Sequence, residues 1–405
     1  MTDLVLRNGA PLADRAPARP IGHAASMRPA DEALVLDLVT TVAGLEALEA
    51  DWNALHARAG EPHHVFQTFN WCWHWCCHYV SGSRQLAIVT GRSEGRLVLL
   101  MPLAIQRRAG LVELTWLGEP VSQYGDILAL PEACGLATLQ QAWRFACSRT
   151  GADLANLRRV RADAFAADLL GSLGAKVTAT EEAPFLDVSR TASFAEWETR
   201  RAPKGLKNRR RQARRLAEIG AVAFASHSGT PEAAALAAHA VRLKRETLGA
   251  KGAISLALAD ERFEAFFSAA AAATERPPGV RVLAVTTDGR PAALKILIDG
   301  PEASFLHVAV FVPGLEKCAP GALLLEHAVA ETIRTGRKTL DLLPPRHEYK
   351  MDFADGVVAV HDHALAVSTA GWLYTNGFLR LRRSLKAVVE GLPLPVRRLL
   401  AKVAC

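Results

Sequence analysis

The chain has 405 residues, half of them apolar and 22% charged, with a net charge of +7. That balance excludes a disordered or fibrous protein. A single hydrophobic core stops growing at roughly 250 to 300 residues, so two domains are expected. Seven cysteines, an odd number, fit reduced thiols rather than a disulfide framework, and no apolar run approaches the roughly 20 residues of a membrane-spanning helix.

Residues 1–30 are rich in Pro, Ala, Arg and Gly and lack the apolar core of a secretory signal, so they read as a disordered arm on a cytoplasmic protein. Residues 34–58 alternate and then take helical spacing at Leu45, Leu48, Trp52 and Leu55, predicting a strand followed by a helix. After Glu61-Pro62-His63-His64, which reads as a turn, residues 66–79 predict an aromatic helix with Trp71, Trp75 and Tyr79 on one buried face. The Cys and His residues between Cys72 and His78 invite a metal reading. On a helix, however, the pairs Cys72/Cys76 and His74/His78 lie about 200° apart, so they cannot share an ion. Strands over 85–90 and 97–106, joined through Gly91, Ser93 and Gly95, predict a hairpin, continued by 111–117. A helix over 135–149, a strand over 154–160 and a helix over 164–173 complete an α/β half.

Residues 204–219 form a basic helix carrying Lys204, Lys207, Arg209, Arg210, Arg211, Arg214 and Arg215, with Arg200 and Arg201 just before it. Without interleaved aromatics to stack on bases, this run fits a solvated face better than a nucleic-acid grip. Helices follow from Pro231 and through Phe263 to Ala273, then β runs over 281–287, 292–299 and 305–312, with hairpin signals at Asp288-Gly289 and Asp299-Gly300. A helix over 321–334 and a strand over 339–343 close the unit, repeating the element order of the first half and suggesting a structural duplication. In 371–405, seven Arg and Lys residues stand against Glu390 alone, beside Trp372, Leu373, Phe378, Leu379 and Leu381. Two readings stay open for this tail: peripheral contact with an anionic membrane surface, or packing of its first residues on the first domain. The chain has no Gly-x-x-x-x-Gly-Lys-Ser/Thr loop, Gly-x-Ser-x-Gly elbow or His-Glu-x-x-His motif, which argues against those enzyme classes.

Three strings, Phe66-Gln67-Thr68-Phe69-Asn70-Trp71, Ser122-Gln123-Tyr124-Gly125-Asp126 and Glu348-Tyr349-Lys350-Met351-Asp352-Phe353, occur in this order across the chain. Together they resemble the CelD-like acetyltransferase family, whose relatives serve exopolysaccharide and cellulose production. The resemblance implies an α/β protein with two GNAT domains in tandem, each a mixed, largely antiparallel sheet flanked by helices, a layout also found in Fem-type transferases. The boundaries expected are an arm (1–30), a first GNAT-like domain (31–198), a second with the basic helical start (199–370) and the tail (371–405). The resemblance further implies N-acyl transfer from acetyl-CoA or another acyl-CoA to an amine on a saccharide acceptor, with no metal. An aminoacyl-tRNA-dependent transferase and a non-catalytic binding scaffold are the alternatives.

The common GNAT pyrophosphate loop, Gln/Arg-x-x-Gly-x-Gly/Ala, is replaced here by Val312-Pro313-Gly314-Leu315-Glu316-Lys317-Cys318-Ala319-Pro320-Gly321-Ala322. A helix N-terminus still suits a pyrophosphate, so Val310, Val312, Gly314, Lys317, Gly321 and Ala322 are the expected donor-binding residues; an ordinary strand-to-helix turn is the other reading. His307 lies in the strand whose backbone would meet the thioester carbonyl. Ser122, Tyr124 and Asp126 alternate at period two, so in an extended segment they would share one face. There Ser122 and Tyr124 would bind the acceptor and Asp126 would orient or deprotonate its amine, unless the segment is a hairpin turn. Asp341 ends a strand, and the loop after it offers Glu348 and His347 as bases, Tyr349 as the acid for the departing thiolate and Lys350 as an anion holder, unless its charges are merely solvated.

Overall fold

Period-two runs of apolar residues separated by two-residue turns dictate the sheet. The computed structural model describes residues 34–108, 110–200, 203–253 and 255–378. The N-terminal arm, Arg201 and the tail beyond residue 378 lie outside the described residues. Strands β1 (Val35–Val39), β2 (Arg84–Ser93), β3 (Arg96–Arg108) and β4 (Leu111–Trp116) form an antiparallel meander. The β2–β3 turn has two positive-φ residues, Glu94 and Gly95, at φ 48° and 76°, the conformation that matches strand twist. Helices α1 (Val42–Ala47), α2 (Glu49–Ala59) and α3 (Phe69–Tyr79) lie between β1 and β2. Thr68 caps α3 by accepting from the Trp71 N–H. Then follow β5 (Leu128–Ala129), α4 (Leu136–Thr150), β6 (Leu154–Arg161), α5 (Phe165–Ser172) and β7 (Lys176–Asp187).

The second half opens with α6 (Phe194–Thr199) and α7 (Pro203–Ala217), the predicted basic helix, and repeats the plan. Strand β8 (Val222–His227) precedes α8 (Pro231–Ala250), α9 (Leu256–Ala259) and α10 (Glu261–Ala272). The meander is β9 (Val280–Thr287), β10 (Arg290–Asp299) and β11 (Ala303–Phe311), with Asp288 and Gly289 both at positive φ in the first turn. Helix α11 (Pro320–Arg334), β12 (Thr339–Asp341), α12 (Glu348–Met351), β13 (Gly356–Ala366) and α13 (Thr369–Leu373) complete the described chain. The predicted loop after Asp341 therefore contains a short helix.

Both halves join one mixed sheet in the order β1-β2-β3-β4-β6-β13-β7-β12-β11-β10-β9-β8, with β5 on β3. The last strand of each half crosses to the other. Strand β7 pairs antiparallel with β12, β13 pairs antiparallel with β6, and the two pair with each other. Neither crossing strand was expected from sequence, because each carries charged and polar residues through its length, from Lys176 to Asp187 and through His361, Asp362 and His363. Apolar packing joins the halves as well: the Trp71 ring of α3 meets Phe266 of α10 edge-on at 5.0 Å, and residues of both halves share one core cluster. Among the described residues no helix is long and apolar enough to cross a membrane.

The parallel pair β4–β6 is short, Glu113 with Leu154 and Leu114 with Ala155, and the gap beyond it is closed by the chain's own segment, the Gly125 N–H donating to the Arg159 carbonyl at 3.1 Å. A Cβ on Gly125 would lie 2.1 Å from the buried Trp116 ring. Gly125→Ala should therefore lower stability by roughly 1–3 kcal/mol, the usual cost of overpacking, read as a lower urea midpoint by tryptophan fluorescence.

Candidate active site

Where β11 and β12 part, the sheet opens. They run parallel over three residue pairs, ending at Phe305 opposite Asp341, whereas β11 continues to Phe311. A register shift against β10 leaves His307 as an extra, bulged residue, since Ile296 faces Val308 and Leu297 faces Leu306. The Val312 N–H donates to the Ala292 carbonyl of β10 at 2.9 Å. By strand alternation the backbone of Val310 turns the same way, while Ala309 and Phe311 turn theirs to the open side. Of the donor residues expected on the strand, Val310, whose side chain is in the core, and Val312 therefore face away from the opening.

Lysines from separate elements meet the two prongs of this fork. Lys244 of α8 donates to the Ala309 carbonyl at 3.0 Å, and Lys350 of α12 donates to the carbonyls of Leu343 and Pro345 at 2.7 and 2.9 Å. Lys350 is buried, and that burial pushes its ammonium down to about 8. At the branch point Asp341 is buried and accepts from the Tyr124 hydroxyl at 2.9 Å and from the Leu343 N–H at 2.8 Å, with Arg161 at 3.4 Å. Burial raises the Asp341 carboxyl above its ordinary value. The Arg161 guanidinium also lies 5.1 Å over the Tyr124 ring.

His307 is held at the bulge. Its Nε2 lies 2.6 Å from the Val121 carbonyl, which can only accept, so Nε2 carries the proton and the buried, unpartnered Nδ1 carries the lone pair. Burial pushes the ring down to about 4, leaving it neutral at pH 7. Gln123 touches the same ring and is itself held by Arg159.

A pocket of about 260 Å³ lies at the start of α11, lined by Gly205, Asn208, Arg209 and Gln212 of α7 with Ala322, Tyr349, Asp352 and Phe353. The basic helix is thus a wall of this pocket. Arg209 pairs with Glu326 and lies 4.9 Å over the Phe353 ring, while Arg210, Arg211, Arg214 and Arg215 stay exposed. Ala319, at φ 45°, starts α11 with Pro320 as its first residue. Ala322 and Leu323 donate back to the Ala319 carbonyl, while the Gly321 N–H has no hydrogen-bond partner among the described residues. Gly314, at φ 92°, and Lys317 are exposed on the loop before it. Short helix α12 connects pocket and fork. Its Tyr349 lines the pocket, with burial raising the phenol and the His347 ring stacked 5.9 Å away, while Lys350 turns to the fork and Glu348 is exposed.

The period-two triplet divides its work. Tyr124 reaches the fork, whereas Ser122 accepts from the Trp71 indole at 2.9 Å and so fastens α3. Asp126 does not face an acceptor. It is fully buried, taking the Ile127 and Ala166 N–H groups on one oxygen and the Nε2 atoms of His63 and His64 on the other, at 3.1 and 2.9 Å. Burial alone would raise its carboxyl, but the two imidazole hydrogen bonds outweigh this and hold it well below the carboxylate range. The Glu61 N–H donates to His64 Nδ1, so His64 Nε2 must be an N–H donor. His63 and His64, expected in a turn, anchor the segment that carries Tyr124. Lys244, Lys295 and Arg161 were not expected at the site, although a lysine between Leu294 and Ile296 in a core strand was a visible signal.

Residues 203–351 match the acetyltransferase (GNAT) domain family. The chain is an acyltransferase built on a GNAT acetyltransferase domain. That domain implies an acyl-CoA donor and an amine acceptor. The first half repeats the α/β plan of that domain within the same mixed sheet. FemX, 10% identical, superposes with a TM-score of 0.53 over 85% of this chain and 99% of its own. A conserved protein of unknown function from Bacteroides thetaiotaomicron VPI-5482, 11% identical, does so at 0.51 over 82% and 100%. A tandem GNAT protein from the clavulanic acid biosynthesis pathway, 15% identical, aligns over 82% and 98% at 0.46. No curated protein matches the chain.

The Asp126 carboxylate binds protons more weakly folded than unfolded, so its contribution is complete above about pH 4 and drains away as pH falls through the acid range. Asp126→Asn should lose roughly 2–3 kcal/mol at pH 7, by leaving buried donors unpaired, and the gap between variant and wild-type urea midpoints should shrink below about pH 4.

Proposed function

We propose that this chain moves an acyl group from acyl-CoA to an amine, with the thioester lying along the free edge of β11 and the nucleotide phosphates at the start of α11. The observation that carries this reading is the continuity between an open parallel pair and a pocket at the next helix N-terminus, with α12 lending a side chain to each. Acyl transfer needs a polarised carbonyl, an amine free of its proton and a protonated leaving thiolate. The Ala309 N–H, turned to the fork, polarises the carbonyl. His307 Nδ1, its lone pair fixed by the Val121 contact, takes the amine proton as it is released. Tyr349, which keeps its proton at neutral pH, returns one to the sulfur. Glu348, exposed beside Tyr349, is the alternative base.

The acceptor enters between units 31–198 and 199–370, where Tyr124 and Asp341 meet. Likeness to the CelD-like family supports an amino sugar of exopolysaccharide or envelope assembly as that acceptor. Exposed Trp372 and Leu373, beside a basic tail, support contact with an anionic membrane surface; the start of that segment is tied down by Ser368 and Gly371 against Asp153.

Calorimetric titration with acetyl-CoA tests the reading. One site per chain is expected, because the equivalent gap in the first half is filled by the chain around Gly125. A Cβ on Gly321 would meet Phe311 at an ordinary 3.6 Å, so Gly321→Leu should fold. It should nonetheless bind at least about tenfold more weakly, a difference of about 1.4 kcal/mol. Binding of no acyl-CoA at all would favour an aminoacyl-tRNA donor or a scaffold.

A further inference from the structure

Lys295 lies in the middle of β10 and is 2% exposed. Among the described residues its ammonium makes no hydrogen bond and no ion pair. It sits opposite Ala309, whose carbonyl takes Lys244. The charges that act on it are those of Lys244 and Lys350, both of its own sign; Asp341 and Glu181 act on Lys350 instead. Lysines from three elements therefore act on one another close to this opening, and the most buried of them has no counter-charge among the described residues. Burying an unpaired ammonium costs several kcal/mol, and crowding it with like charges costs more. A packing role at this position would be met at less cost by leucine or methionine.

The phosphates of the donor have their own place at the start of α11, and its pantetheine arm is uncharged. The part of the donor that reaches the level of Ala309 and beyond is the thioester and its acyl group. Resting on the donor reading above, we propose that the acyl group carried into this fork bears a carboxylate of its own, as in a succinyl or malonyl thioester, with Lys295 as its counter-ion. Chemically the reaction is unchanged: the amine nitrogen bonds to the thioester carbonyl, the carbon–sulfur bond breaks, and the amine proton ends on the CoA thiol. The distal carboxylate takes no part in the bond changes; it offsets the buried charge and selects the donor. Burial and the neighbouring lysines push Lys295 down to about 7, so a carboxylate beside it would draw a proton onto the amine.

The test is calorimetric titration of the full chain with acetyl-CoA and succinyl-CoA at pH 7.5, in two buffers of different ionisation enthalpy. Succinyl-CoA should bind at least about tenfold more tightly than acetyl-CoA and take up protons as it binds. Lys295→Met, which exchanges a buried charge for an apolar chain of similar size, should melt no lower than wild type. It should bring succinyl-CoA down to the affinity of acetyl-CoA or below and abolish the proton uptake. Acetyl-CoA binding with succinyl-CoA equal or weaker in the wild type would overturn the proposal while leaving the donor reading standing. Failure of both thioesters to bind would overturn the donor reading, and this proposal with it.

Discussion

A buried carboxylate at the end of a three-residue strand decides the shape of the site. Left to itself, a parallel pair such as β11–β12 would continue to zip, since every further residue adds backbone hydrogen bonds. Asp341 turns the chain aside: it accepts the Leu343 N–H two residues on, and Leu343 adopts φ 59°, a conformation a branched residue takes only when its surroundings enforce it. Lys350 fixes the same residue from the other side through its carbonyl. Tyr124 and Arg161, both from the first half, neutralise and orient the carboxylate. The opening is therefore a joint product of the two halves.

The two halves open the same kind of strand pair in different ways. Each half contains a parallel pair that separates early, β4 with β6 and β11 with β12. In the first half the separation is filled from within: Gly125 bonds to Arg159, the Trp116 indole occupies the space beside it, and Arg159 itself is bent to φ 59° and held by Asp362 of the crossing strand β13. In the second half the separated prongs meet lysine side chains and a bulged histidine. The filling segment, 121–126, also donates Tyr124 and offers the Val121 carbonyl to His307, so the plug of one gap is the wall of the other.

Much of this was legible where local chemistry and packing agree. The Asp288-Gly289 and Gly95 turns, the amphipathic helices and the meanders read directly from alternation and turn residues, and the buried face of Trp71, Trp75 and Tyr79 followed from spacing alone. Strands β7 and β13 were not legible, because they are stabilised by pairing with each other and with the opposite half; their own residues alternate too weakly to announce a strand. Tyr124, His307, Asp341 and Lys350, all singled out in the sequence as candidates, lie around the fork. Ser122 meets Trp71 and Asp126 meets His63 and His64, partners the sequence does not show, because period two says which residues share a face and nothing of what faces them. Val310 and Val312 turn toward β10 for a related reason: which amides of a strand point outward depends on where the bulge falls, here at His307.

The most direct test of the account is hydrogen exchange at single amides of the full-length protein, with and without saturating acyl-CoA. If the thioester lies along the free edge of β11, the Ala309 and Phe311 amides should slow markedly on binding while those of Val310 and Val312, already committed to the β10 side, should change little. Protection that appears instead around residues 113–125, with the β11 amides unaffected, would place the donor in the first half and contradict the account.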